Sequence, residues 1–198
     1  MRPKGKPNPE LYSVRKASLA LLEQQNQLGI IDLYYGDESQ VSETGYVPYG
    51  WQFEDEDVFI EVAKGKSLNC FAMITRASKL IFSTTTNSIT SNYIKNQLDK
   101  FSFEIRKTTV VVLDNARIHT ARKIKERLRC WQQRGLYIFY LPPYSPHLNI
   151  CERLWKELKA RWIKPKDYQS ADSLFYTVQL VLNAVGQDLF INFSDYSV

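Results

Sequence analysis

The chain has 198 residues, 44% hydrophobic and 24% charged, with a net charge of +5, which suits one compact domain built from a sheet and covering helices. No stretch approaches the roughly 20 apolar residues that span a bilayer, and the basic start has neither the apolar run nor the cleavage site of a signal peptide. Three cysteines, Cys70, Cys130 and Cys151, have no paired spacing, so no disulfide framework is expected and the chain reads as cytoplasmic.

Residues 1–10, rich in Pro, Lys and Gly, read as a loose tail. Val14, Ala17 and Leu21 lie at steps of three and four, which predicts a helix over about 14–27 with these apolar residues on one side. IIDLYYGDESQVS (30–42) reads as a long strand ending in carboxylates. GYVPYGWQF (45–53) is turn-rich, and EDED (54–57) is an acidic loop leading into a strand around 57–63. LNCFAMITR (68–76) and KLIFSTT (79–85) predict two further strands, and Ile89, Tyr93, Ile94 and Leu98 predict a helix over 87–100.

TTVVVLDNA (108–116) is a β-branched run typical of a strand buried on both faces. Ala121, Ile124, Leu128 and Trp131 predict an amphipathic helix over 119–133. LYIFYL (136–141) is the last strand, and PPYSPHLN (142–149) a proline-stiffened loop. Ile150, Leu154, Leu158 and Trp162 mark the next helix, and a final helix is expected over about 170–186. Early strands joined by short turns imply a meander, and later strands alternating with helices imply parallel crossovers. The expected class is α/β: a ribonuclease H-like mixed sheet flanked by helices on both faces, in a single domain over 1–198 with a short extension at 1–29.

Positive charge is concentrated. Segment 115–134 holds seven basic residues against Glu126 alone, and segment 152–166 holds six against Glu152 and Glu157. Such patches suit nucleic acid, although solvated helix faces explain them equally well.

Three acidic residues stand where a packed domain would not choose them. Asp37 is read as ending the first strand, Asp114 as ending VVVL, and Glu152 as opening a helix. Asp is depleted in strands, and converging carboxylates would make an all-oxygen site for Mg²⁺ or Mn²⁺. Each has a plainer reading. Asp37 could start a turn, Asp114 or Asn115 could cap a helix, and Asn149-x-x-Glu152 matches a capping box. A zinc site from Cys130, His147 and Cys151 lacks any CxxC or HxxxH pair.

The words around these residues narrow the choice. GDESQ (36–40), VVVLDNARIHTA (110–121) and YLPPYSPHLNICERLWKELK (140–159) resemble the three catalytic motifs of DDE transposases of the Tc/mariner superfamily, in its bacterial insertion-sequence branch of the six-thirty type. The resemblance covers roughly 30 to 185. It implies DNA strand cleavage and strand transfer, with Asp37, Asp114 and Glu152 as the catalytic, metal-binding triad and Mg²⁺ or Mn²⁺, two ions, as cofactor. It implies transposon ends and target duplex as partners, a homodimer as a candidate assembly, no membrane, and a place beside the bacterial nucleoid. Arg117, His119, Arg122, Lys123, Lys156 and Lys159 are the DNA contacts it suggests, with His119 alternatively orienting a carboxylate or simply satisfied in the structure.

Thirty-seven residues separate Asp114 from Glu152, near the family's commoner shorter interval, and the family's Pro-Ile before the glutamate is Ile150-Cys151 here. The stretch before the first strand is too short for the helix-turn-helix modules with which full-length relatives read transposon ends, so no separate DNA-recognition domain is expected. The competing readings are a structure-selective or RNA-cleaving nuclease of the same fold, and a non-catalytic DNA-binding remnant.

Overall fold

A computed structural model describes residues 9–43 and 65–193. The turn-rich segment 45–53, the acidic loop 54–57 and the strand expected around 57–63 lie outside them.

The sheet is organised around β1 (Asp32–Ser42). On one edge β1 pairs antiparallel with β2 (Ser67–Ile74), which pairs antiparallel with β3 (Leu80–Thr85). On the other edge it lies parallel to β4 (Thr109–Leu113), which is parallel to β5 (Leu136–Tyr140). The order β3-β2-β1-β4-β5 is the expected mixed sheet, a meander followed by helical crossovers.

Period-two alternation divides the core. Leu33, Tyr35, Cys70, Ala72, Val110 and Val112 face one cluster, roofed by α1 (Pro9–Gln27), α5 (Cys151–Glu157) and α6 (Ala171–Ala184). Tyr34, Phe71, Met73, Val111 and Leu113 face a second, roofed by α2 (Ser91–Glu104), α3 (Arg122–Lys125) and α4 (Leu128–Gln133). All five residues of β4 are buried, as its β-branched run implied. Beyond α5 the chain continues as a π-helical turn, Leu158–Trp162. Among the described residues no helix is long and apolar enough to cross a membrane.

Two helices depart from the sequence pattern. In α1 the side marked by Val14 and Leu21 is the solvent side, 63% and 61% exposed. The packed side carries Tyr12, Leu19, Leu22 and the buried Glu23. Glu23 accepts a short hydrogen bond from the Tyr35 hydroxyl and pairs with Arg76 at 2.6 Å, so α1 is fastened through an ion pair that apolar periodicity does not register. The helix expected over 119–133 begins only at Arg122 and breaks between Lys125 and Leu128. The residues ahead of it form a turn, with the His119 and Thr120 N–H groups both donating to the Ala116 carbonyl, which brings the His119 ring back towards Asp114.

Candidate active site

β1 and β4 pair only from Asp32 to Tyr35, whereas β1 stays paired with β2 from Tyr35 to Ser42. Asp37 is therefore in mid-strand, not at the strand's end as expected, at the point where the neighbouring strand has stopped. Gly36 makes this possible: a Cβ there would lie 2.7 Å from Leu113 Cδ2. The absent side chain lets β1 approach the last residue of β4, immediately before Asp114.

Asn149, buried at the start of α5, ties that helix to β1. Its Nδ2 donates to the Gly36 carbonyl at 3.1 Å, and its Oδ1 accepts from the Cys151 N–H at 3.1 Å. Asn149 thus braces the turn into α5 one residue before its N-cap, Ile150, and the Glu152 carboxylate does not reach back to complete the capping box the sequence suggested. Among the described residues it has no hydrogen-bond partner, and it reaches solvent from the first turn of α5. Trp155, one turn on, donates its indole N–H to Asp37 Oδ2 at 3.1 Å. Asn115 joins the ends of β4 and β5 by donating to the Leu141 carbonyl at 2.5 Å.

Asp114 is held by its Oδ1, which accepts from the Ala116 N–H at 2.9 Å and from His119 Nδ1 at 2.6 Å. The opposite ring nitrogen of His119 stands 3.0 Å from Glu38 Oε2. Burial alone would lower the imidazole pKa, but Asp114 and Glu38 outweigh it and raise it to about 10. His119 Nδ1 is hydrogen-bonded to Asp114, whereas Glu38 lies beside Nε2 as a neighbouring charge and not as a hydrogen-bond partner. Burial pushes the Asp114 carboxyl up, and the His119 and Ala116 donors more than offset it, holding it below its ordinary value. His119 is fully buried, so its expected role as a DNA contact is corrected: it orients a carboxylate.

Asp37 behaves oppositely. Burial, then repulsion from Glu38, Glu152 and Asp114, pushes it up to about 8. Glu152 is also raised, by partial burial and by Asp114, with Lys159 opposing. Asp37, Asp114 and Glu152 line one cleft of about 840 Å³, together with Leu11 and Arg15 of α1 and the 142–146 loop. Among the described residues no three His, Cys, Asp or Glu side chains already stand close enough to hold a metal ion. The triad suits a hard divalent cation in donor chemistry. It is all oxygen and mutually repelling, and its Glu152 has no hydrogen-bond partner among the described residues.

Of the remaining expected DNA contacts, Arg117, Arg122, Lys123 and Lys156 are exposed and Lys159 is half-buried, all outside the cleft lining. Arg122 is paired with Glu126 at 2.7 Å. Glu157 is buried and pairs with both Arg153, at 2.8 Å, and Arg161, at 3.2 Å. Sequence reasoning missed Glu38, which sits beside Asp37 in the same motif, and Trp155, the tryptophan of the third motif. It also missed Arg15, for which there was no signal, because apolar spacing does not mark the side of the helix that packs.

No curated protein sequence matches the chain. Among solved structures it is similar to the Mos1 transposase paired-end complex with the left transposon end, with TM-score 0.62 and 15% identity over 93% of this chain and 58% of that one. The Mos1 mariner paired-end complex with Mn gives TM-score 0.62 and 14% identity over 93% and 58%. The isolated catalytic domain of Mos1 mariner transposase gives TM-score 0.56 and 14% identity over 92% of this chain and 86% of that one. These likenesses carry the ribonuclease H-like fold, and the chain spans under two thirds of the full transposase chains. The family profile described as DDE superfamily endonuclease matches residues 32–175, the span from the start of β1 into α6 that holds all three carboxylates, and the chain belongs to that superfamily.

Proposed function

We propose that this chain is the catalytic domain of a transposase that cuts DNA at transposon ends and joins the freed 3′-hydroxyl to a target duplex. The observation that carries the reading is Asp37, Asp114 and Glu152 opening onto one cleft in a DDE-superfamily fold. Asp37, Asp114 and Glu152 would hold Mg²⁺ or Mn²⁺, which would supply Lewis-acid stabilisation of the attacking and leaving oxygens of a phosphodiester. Asp114 offers the oxygen that His119 leaves free. Trp155 orients Asp37, and Glu152 is the third ligand. Arg117, Arg122, Lys123, Lys156 and Lys159 supply the positive surface along which duplex DNA would lie.

Supercoiled plasmid incubated with Mn²⁺ provides the test. The parent should nick it and the Asp37→Asn/Asp114→Asn double variant should not, while Mn²⁺ should raise the melting temperature of the parent alone. Equal nicking and equal thermal shifts in both proteins would overturn the reading. Preference for an RNA–DNA hybrid over duplex DNA would assign the same carboxylates to a ribonuclease.

A further inference from the structure

We propose that Arg15 of α1 is the phosphate anchor of the cleft, its guanidinium taking a backbone phosphate of the strand whose neighbouring phosphodiester lies at the three carboxylates. The inference rests on the DNA-cleaving reading and adds to it a contact from a helix outside the three motifs.

Arg15 lines the same cleft as Asp37, Asp114 and Glu152, and among the described lining residues it is the one basic side chain. A cleft walled by three carboxylates repels a phosphodiester, and charges at close range in a partly water-excluded site are weakly screened. Arg15 is exposed, as are Arg122 and Lys123 of α3 and Lys156 of α5, but it belongs to the cleft lining and they do not, so it is the cation placed to offset that repulsion. Arg15 is also uncommitted. Despite the carboxylates around the cleft it forms no ion pair among the described residues, and its guanidinium instead sits over the Phe139 ring, 5.4 Å from the centroid. Stacking of this kind leaves the N–H edge of an arginine open, and that edge matches two phosphate oxygens.

Its position is set from both sides. Three residues earlier, the Tyr12 hydroxyl meets His147 Nε2 at 3.0 Å, on the loop that forms the opposite wall. Four residues later Leu19 is fully buried, and beyond it Glu23 is pinned by Tyr35 and Arg76. A residue held between two such anchors presents its side chain to the cleft at little further entropic cost.

Fluorescence anisotropy of a random-sequence duplex in Ca²⁺ over a salt series tests the proposal, with plasmid nicking by the same preparations in Mn²⁺. For Arg15→Gln the slope of log affinity against log salt should fall by about 0.9, the loss of one phosphate contact. Arg15→Lys should keep the slope while binding more weakly, and Lys16→Gln, outside the cleft lining, should leave both unchanged. Melting temperatures confirm folding of each variant. If the parent nicks DNA and Arg15→Gln keeps the parent slope, the phosphate anchor is wrong while the DNA-cleaving reading stands. The same holds if Arg15→Gln only tightens Mn²⁺ binding, which would make Arg15 a neutraliser of the carboxylates. A parent that neither binds nor nicks DNA overturns both.

Discussion

The two oxygens of Asp114 have different surroundings. Oδ1 is taken by Ala116 and His119, and no hydrogen bond reaches Oδ2 among the described residues, so one lone-pair set stays open to the cleft. Glu152 is the extreme of the same arrangement, a carboxylate with no hydrogen-bond or ion-pair partner among the described residues, whereas Glu157, five residues on, is buried between two arginines. These surroundings separate the two glutamates by experiment. Glu152→Gln removes a charge that Asp114 repels, so the metal-free fold should change by no more than about 0.5 kcal/mol while metal-dependent nicking is lost. Glu157→Gln leaves Arg153 and Arg161 short of a charged partner and should cost about 1–3 kcal/mol with the metal response kept. Denaturant melts and plasmid nicking on both variants check this. Parent-rate nicking by Glu152→Gln would reduce that residue to a surface side chain.

At the scale of elements, the site depends on how closely β1 passes the end of β4. Gly36→Ala places a methyl group against Leu113, and overpacking of this kind costs about 1–3 kcal/mol. The strain falls on the residue before Asp114, so metal affinity should drop along with stability. Titration calorimetry with Mn²⁺ would show a weaker site, and parent affinity would mean that Leu113 yields without moving Asp114. The order of strands and the buried character of β4 were legible because β-branched runs and turn residues act locally. That Asp37, Asp114 and Glu152 share one cleft was legible because the three motifs carrying them are long words. What was not legible was set by tertiary partners. Apolar counting marks the side of Val14 and Leu21 in α1, which faces solvent, since the group that fastens the helix is Glu23, a charge satisfied by Arg76 from the end of β2. The helix expected from His119 onward starts late because the His119 ring turns back to Asp114, and Asp37 looked like a strand end although β2 continues beside it to Ser42.

Over the whole molecule, the carboxylate cluster couples stability to pH and to metal. Asp37 rises from an ordinary value of 3.8 to about 8 in the fold, so the folded protein holds this proton more tightly than the unfolded chain. Its contribution is complete below about pH 4 and is lost as pH rises towards about 8. His119 is raised from 6.5 to about 10, so its stabilisation is present below 6.5 and is lost as pH rises through 10. Asp114 is shifted the other way, and its contribution survives throughout neutral pH. Both raised groups therefore act in the same direction, and the metal-free melting temperature should fall from about pH 5 to 9, most steeply between about 6.5 and 8 where both contribute. A divalent cation held as proposed would take Asp37 as the carboxylate and would have to displace that proton. The thermal shift produced by Mg²⁺ should then grow with pH and level off near pH 8. Asp37→Asn should flatten the acid part of the metal-free curve, leaving only the decline due to His119, and should lose most of the Mg²⁺ shift. Melting curves of parent and variant at constant ionic strength, with and without Mg²⁺, measure every part of this. A parent melting temperature that holds level or climbs from pH 5 to 8, or a variant that follows the parent's slope, would show that Asp37 is not the strained member of the cluster.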